Sequence, residues 1–69
     1  MKAIICALDA DRKDLTETDA QEIRDTFAFH GIRADVLTTE TMELDIILAR
    51  SDDAGVAARL LRKRGLDVL

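Results

Sequence analysis

The residues best placed for chemistry are acids that follow an apolar run near the start of the chain. Ile4-Ile5-Cys6-Ala7-Leu8 empties into Asp9-Ala10-Asp11, and Asp14, Glu17, Asp19 and Glu22 follow. Carboxylates at the mouth of a buried strand can serve two chemistries. One can attack a phosphoryl group while its neighbour moves a proton. Several together can hold a hard divalent cation through oxygen. Arg12 and Lys13 stand among these acids and offset their field. A segment rich in Asp and Thr also turns a chain and starts a helix without any ligand. The expectation is therefore a connecting loop. Asp9, Asp11, Arg12 and Asp14 are its candidates for ligand or partner contact, and a cation site or minor enzymatic role at Asp9 and Asp11 is the alternative.

Two family patterns resemble this stretch and both break at Lys13. A strand running into D-x-D-x-T/V resembles the haloacid-dehalogenase-type phosphatases, but Lys13 occupies the Thr/Val position, and 69 residues are too few for that fold and its later motifs. The second is the EF-hand calcium loop. With Asp9 as its first position, the fifth is Lys13, the sixth is Asp14 in place of Gly, and the twelfth is Ala20 in place of Glu. That loop also follows a helix, whereas a strand precedes this one.

The remaining reactive side chains read as structural. Cys6 lies mid-strand among Ile, Ala and Leu with no CxxC partner, whereas a reactive thiol needs exposure and nearby positive charge. It is expected in the core. His30 precedes a helix-stopping glycine, where a cation suits the helix C-terminus. Arg59, Arg62, Lys63 and Arg64 crowd another helix end and read as a solvated terminus, with contact to an acidic partner as the alternative. No catalytic, cofactor or metal residue is assigned.

The elements that must position these residues follow from periodicity. Residues 2–8 (KAIICAL) form an apolar run too short for a helix and read as a central strand. Residues 9–17 are a polar connection. Thr18 and Gln21 fit a capping box for a helix with Ala20, Ile23, Phe27 and His30 on one stripe. Gly31 stops it, with Ile32 as the hydrophobic contact beyond the cap. Residues 33–40 (RADVLTTE) and 42–50 (MELDIILAR) alternate and predict a hairpin turning near Thr39-Glu40-Thr41, with Met42, Leu44, Ile46 and Leu48 on one face. Ser51-Asp52-Asp53 opens a second helix with Ala54, Ala57, Ala58 and Leu61 on its stripe and Gly65 at its end. Residues 66–69 form a last strand. The order β-α-β-β-α-β predicts an α+β, ferredoxin-like split β-α-β fold as one domain over residues 1–69: a four-stranded antiparallel sheet, strands one and three central, two helices on one face.

Composition narrows the function classes. Ten basic against fourteen acidic side chains leave a net charge of −4, and Phe27 and Phe29 are the only aromatics. Phosphate binding needs a basic face, and base stacking needs aromatics, so nucleic acid is not expected as a partner. No apolar run approaches a membrane span, and the start shows no signal-peptide pattern. A lone cysteine suits a reducing cytoplasm.

With even-numbered residues of the strands at 2–8 and 42–50 facing the helices, the opposite face shows Ala3, Ile5, Ala7, Ile47 and Ala49, with Leu37 and Leu69 beside them. Lys2, Asp35, Glu43, Asp45 and Asp67 edge it. RNA-recognition domains of this fold place aromatics on that face, and copper-chaperone versions place paired cysteines after strand one. This chain has neither. A smooth apolar patch rimmed by charge predicts a protein interface through Ala3, Ile5, Ala7, Leu37, Glu43, Asp45, Ile47 and Ala49. The expected function is that of a small non-enzymatic interaction domain: a regulator or phage-type inhibitor that docks on or occludes a protein, or a homodimer. The β-α-β-β-α-β pattern also resembles ACT and other regulatory ferredoxin-like modules. That resemblance implies small-molecule sensing at a dimer interface.

Overall fold

A computed structural model describes residues 1–69. Strand β1 (Ala3–Asp9), helix α1 (Glu17–Phe29), strands β2 (Ala34–Thr38) and β3 (Leu44–Leu48), a 3-10 turn (Ser51–Asp53), helix α2 (Ala54–Lys63) and strand β4 (Leu66–Val68) follow in order. The strands form one antiparallel sheet in the order β2-β3-β1-β4. This is the ferredoxin-like arrangement, with the first and third strands central.

Helix α1 starts two residues earlier than the Thr18–Gln21 pattern predicts. Thr16 is the N-cap, and the Asp19 carboxylate accepts from the Thr16 N–H at 2.7 Å and from its hydroxyl at 3.1 Å. Gln21 instead donates to Asp25, one turn on, at 2.9 Å. The earlier start is anchored by Leu15, which the polar reading of residues 9–17 passes over. Leu15 is buried, and its N–H donates to the Met42 carbonyl at 2.9 Å. Leu15 and Ala20 occupy the two positions of a hydrophobic staple and both lie in the core.

At the far end of α1, Gly31 takes φ +72. Its N–H donates to Ala28 O, and Ile32 N–H donates to Phe27 O, so two orphan carbonyls are satisfied and Ile32 is buried beside the helix end. His30, expected on the buried stripe, is the exposed C-cap, its ring edge-on to the exposed Phe29.

The β2–β3 hairpin turns at Thr39–Met42, where Met42 N–H donates to Thr39 O at 3.0 Å. Met42 is expected on the core face of a strand, but it sits in this turn at φ +59 with its side chain partly exposed. A three-residue hairpin loop needs one left-handed residue before the ladder resumes. Thr39 Oγ1, accepting from Glu43 N–H at 3.1 Å, closes that loop.

The core packs between the sheet and the two helices. Its largest fully buried side chains are Phe27, Val36, Leu44, Ile46, Leu48 and Leu61, set against the small Ala7, Ala20 and Ala57. This mix corrects the assignment of faces in β1. Ile5 and Ala7 are buried on the helix side and Ala3 is half-buried there, so these three candidate interface residues do not lie on the open face. The cause is register. β1 pairs with β3 as Ile4↔Ile47, Ile5↔Ile46 and Ala7↔Leu44, so odd positions of β1 share a face with even positions of β3. Large residues from β3 and the helices then fill the layer, and small ones in β1 let the helices approach.

Two outcomes check this description. Ile5→Ala should lower stability by about 2–4 kcal/mol in denaturant titrations of dilute protein, and Ile4→Ala by roughly 0.5 kcal/mol or less; the opposite ranking would restore the even-inward strand. Met42→Gly should raise stability by about 0.5–1 kcal/mol, because relief of the left-handed penalty exceeds the added chain entropy. Destabilisation by that change would contradict the turn geometry.

Candidate docking face

The Asp9 loop is built around its own backbone. Arg12 N–H donates to Asp9 O at 2.9 Å, and Asp9 Oδ2 accepts from Asp11 N–H at 2.8 Å and from Lys13 N–H at 3.4 Å. Asp9 is thus committed to an Asx-type turn. Arg12 sits at φ +64 and folds its guanidinium back onto Asp9 O, Ala10 O and, at 2.9 Å, Asp67 Oδ2. The loop is thereby tied to β4. Asp11 and Asp14 are exposed and make no side-chain hydrogen bond. No three His, Cys, Asp or Glu side chains in the structure are grouped as a metal site requires. The loop brings together Asp9 and Arg12 of its candidate residues, through backbone and sheet-edge contacts.

The basic end of α2 is likewise partly engaged. Arg64 donates to Glu22 at 2.9 Å and reaches Thr26 Oγ1 at 3.4 Å, which joins the two helices. Arg24 of α1 performs a related task at the sheet edge. Arg33 O accepts from Ala49 N–H, and Thr39 N–H donates to Glu43 O, so odd-numbered β2 residues turn their backbone groups toward β3. The Val36 carbonyl therefore faces the free edge, and Arg24 donates to it while also holding Glu17 at 2.6 Å. A charged side chain over an edge carbonyl blocks strand addition there.

The sheet face turned away from the helices is uncovered. Direct cross-strand partners project from the same side of a sheet, so the register defines its rows. One row is Asp35, Ile47 and Ile4. The next is Leu37, Asp45 and Cys6, extended by Leu69, whose N–H donates to Cys6 O. Leu8 lies opposite Asp67 in a third, which Glu43 extends. Ile4 is 68% exposed, Leu37 51% and Leu69 77%. At the opposite end Ala49 N–H donates to Arg33 O, and the register extends to Lys2, Ala49 and Arg33 as a further row; a groove beside it runs round the β2 edge to Arg24 and Ala28 of α1. Leu37, Glu43, Asp45, Ile47 and Ala49 thus lie where the alternation of β2 and β3 places them. In β1 the open-face residues are Ile4, Cys6 and Leu8. Sequence parity missed these three, although their size, set against Ala3 and Ala7, was the available signal.

Cys6 is consequently not a core residue. It is half-buried on the open face, and its Sγ–H donates to Asp45 Oδ1 at 3.2 Å. That hydrogen bond, then partial desolvation, then the charges of Asp45 and Glu43 push the thiol above its ordinary range. A raised thiol is a poor nucleophile near neutral pH. No family model, curated protein or solved structure matches this chain. No helix is long and apolar enough to cross a membrane.

The thiol yields a third outcome. In a pH series of iodoacetamide alkylation, the reaction midpoint of Cys6 should lie above that of an unperturbed cysteine, and Asp45→Asn should move it down by removing the anionic acceptor. The folded-state value is the raised one, so the native thiol holds its proton where the unfolded one has lost it, and stability should fall as pH rises above the ordinary cysteine range. An unchanged midpoint in Asp45→Asn would contradict the Cys6–Asp45 contact.

Proposed function

We propose that this chain is a small non-enzymatic interaction module that docks its open sheet face on a polypeptide surface. One observation carries the reading: Ile4, Cys6, Leu8, Leu37, Ile47 and Leu69 share a face no element of the fold covers, with acids and cations around them. Only 14 of the 69 residues are buried, so large aliphatics left outside represent core that a small domain would otherwise use. An exposed apolar patch with a charged rim fits a protein partner. Its lack of aromatics and its acids, Asp35, Glu43, Asp45 and Asp67, favour protein over nucleic acid. The polar groups of the loop and helix ends support the same reading. Asp9, Arg12, Arg24 and Arg64 hold backbone and ion-pair contacts within the fold, and the one thiol is held protonated. Such a module regulates or inhibits by occluding a surface, and a free thiol on its face suits a reducing compartment.

The test is affinity capture with the tagged chain and three variants. Ile4→Glu and Leu37→Glu place a charge on the open face, and Val56→Glu places one on the exposed side of α2. Wild type and Val56→Glu should retain the bound polypeptide, whether another copy or a different chain, and both face variants should lose it. Equal capture by all four proteins, or loss confined to Val56→Glu, would remove the open face as the docking site.

A further inference from the structure

We infer that the surface covering the open face is a second copy of this chain, related by a two-fold axis that lies between the two sheets and runs across the strands. This rests on the docking reading above and names its partner. The distribution of unpaired charge carries it. The fold contains four ion pairs, and none involves Lys2, Arg33, Asp35, Glu43 or Asp45. Those charges are not scattered evenly. The register, extended by one step, sets Lys2 and Arg33 on either side of Ala49 at one end of the face, with Asp35 in the next row. Glu43 and Asp45 lie toward the other end, with Asp67 at its margin. Arg12, in the loop at that end, already pairs with Asp67. The face is thus cationic at one end and acidic at the other, and the two rows between carry Ile4, Ile47 and Leu37 with Asp35 and Asp45 among them.

A two-fold interface brings the same patch against itself, so the patch must be complementary to its own rotated image. Two directions of the axis within the plane of the sheets are open to a face-to-face pair. An axis along the strands lays the cationic end over the cationic end and the acids over the acids. An axis across the strands lays Lys2 and Arg33 of one copy over the Glu43–Asp67 end of its partner, with Asp45 one row in, twice, and encloses Ile4, Ile47 and Leu37 between. Only the second arrangement pairs the unpaired charges. A uniformly acidic face would call for a basic partner and would repel its own copy; a face carrying both signs at opposite ends does neither. Four strands of this length make a face about 20 Å on a side. That is about 400 Å² from each copy, the size of weak and transient interfaces, and fits association in the micromolar range or weaker.

The experiment is sedimentation velocity on the whole chain from about 5 to about 500 µM, a range that brackets such an affinity. Wild type should move from 7.7 kDa toward twice that mass with concentration, and the transition should shift upward in high salt. Two double variants decide the geometry. Lys2→Glu with Arg33→Glu makes both ends acidic, and Glu43→Lys with Asp45→Lys makes both cationic. Each alone should remain monomeric, and an equimolar mixture should recover the dimer. Circular dichroism checks that each is folded; if either double variant does not fold, Lys2→Glu and Glu43→Lys form the same exchange with one position each. A wild type that stays at 7.7 kDa throughout overturns the dimer, as does a dimer that persists in both variants, or folded variants that do not recover it when mixed. The two readings separate cleanly. A monomeric wild type whose capture of a different polypeptide is lost in Ile4→Glu retires the dimer and leaves the docking face. If neither self-association nor face-dependent capture is found, both are retired.

Discussion

Strand β3 carries Leu44, Ile46 and Leu48 on one side and Asp45 and Ile47 on the other, with Glu43 just before it, and the rest of the structure depends on which side faces the helices. Burying Asp45 without a cation would leave a desolvated charge that no neighbouring aliphatic could offset. The aliphatic triplet therefore goes inward, and all three of its members are fully buried. Antiparallel pairing transmits that choice. Ile5 is bound opposite Ile46 and Val36 also lies opposite Ile46, so one strand's alternation sets the faces of both its neighbours. Ile4, Cys6 and Leu8 are directed outward by a constraint that lies in another strand.

The same economy governs the polar residues. A small domain has little interior with which to hold its loops, and here carboxylates and guanidiniums do part of that work. Asp9 folds the β1–α1 turn through its own backbone contacts, Asp19 caps the helix, and Arg12 ties the loop to β4. Arg24 and Arg64 link helix to sheet edge and helix to helix. Exposed ion pairs of this kind add little stability singly, but each fixes the direction of a connection. What looks like reactive chemistry at the mouth of the central strand is mostly turn and cap geometry. Lys2, Arg33 and Glu43, whose side chains have no such internal task, lie on or beside the open face, where Asp45 accepts from the Cys6 thiol.

Local patterns in the chain were sufficient for the order of elements. Gly31 and Gly65 mark both helix ends because left-handed backbone there excludes most other residues. The alternation in residues 44–48 and the stripe through Ala57 and Leu61 identify strand and helix, because a single buried face imposes their period. Shifts of one or two residues at α1 and at the hairpin arose where a tertiary contact overrode a local motif. Leu15, pinned to Met42, drew the helix start toward Thr16, and the hairpin loop took Met42 out of its strand.

The sequence by itself determined the β-α-β-β-α-β fold, the helix stops and the inward face of β3, because each is written in residues close together in the chain. Only the tertiary structure decided which face of β1 is open. Residues 3–8 are apolar on both sides, so their own alternation carries no preference strong enough to choose. The choice came from register against β3, forty residues away in the chain, and it placed Ile4, Cys6 and Leu8 beside Asp45 and Ile47. The same pairing turned Cys6 from an expected core residue into a protonated thiol on the open face, because a side chain's surroundings depend on the strand beside it as much as on its own neighbours in sequence.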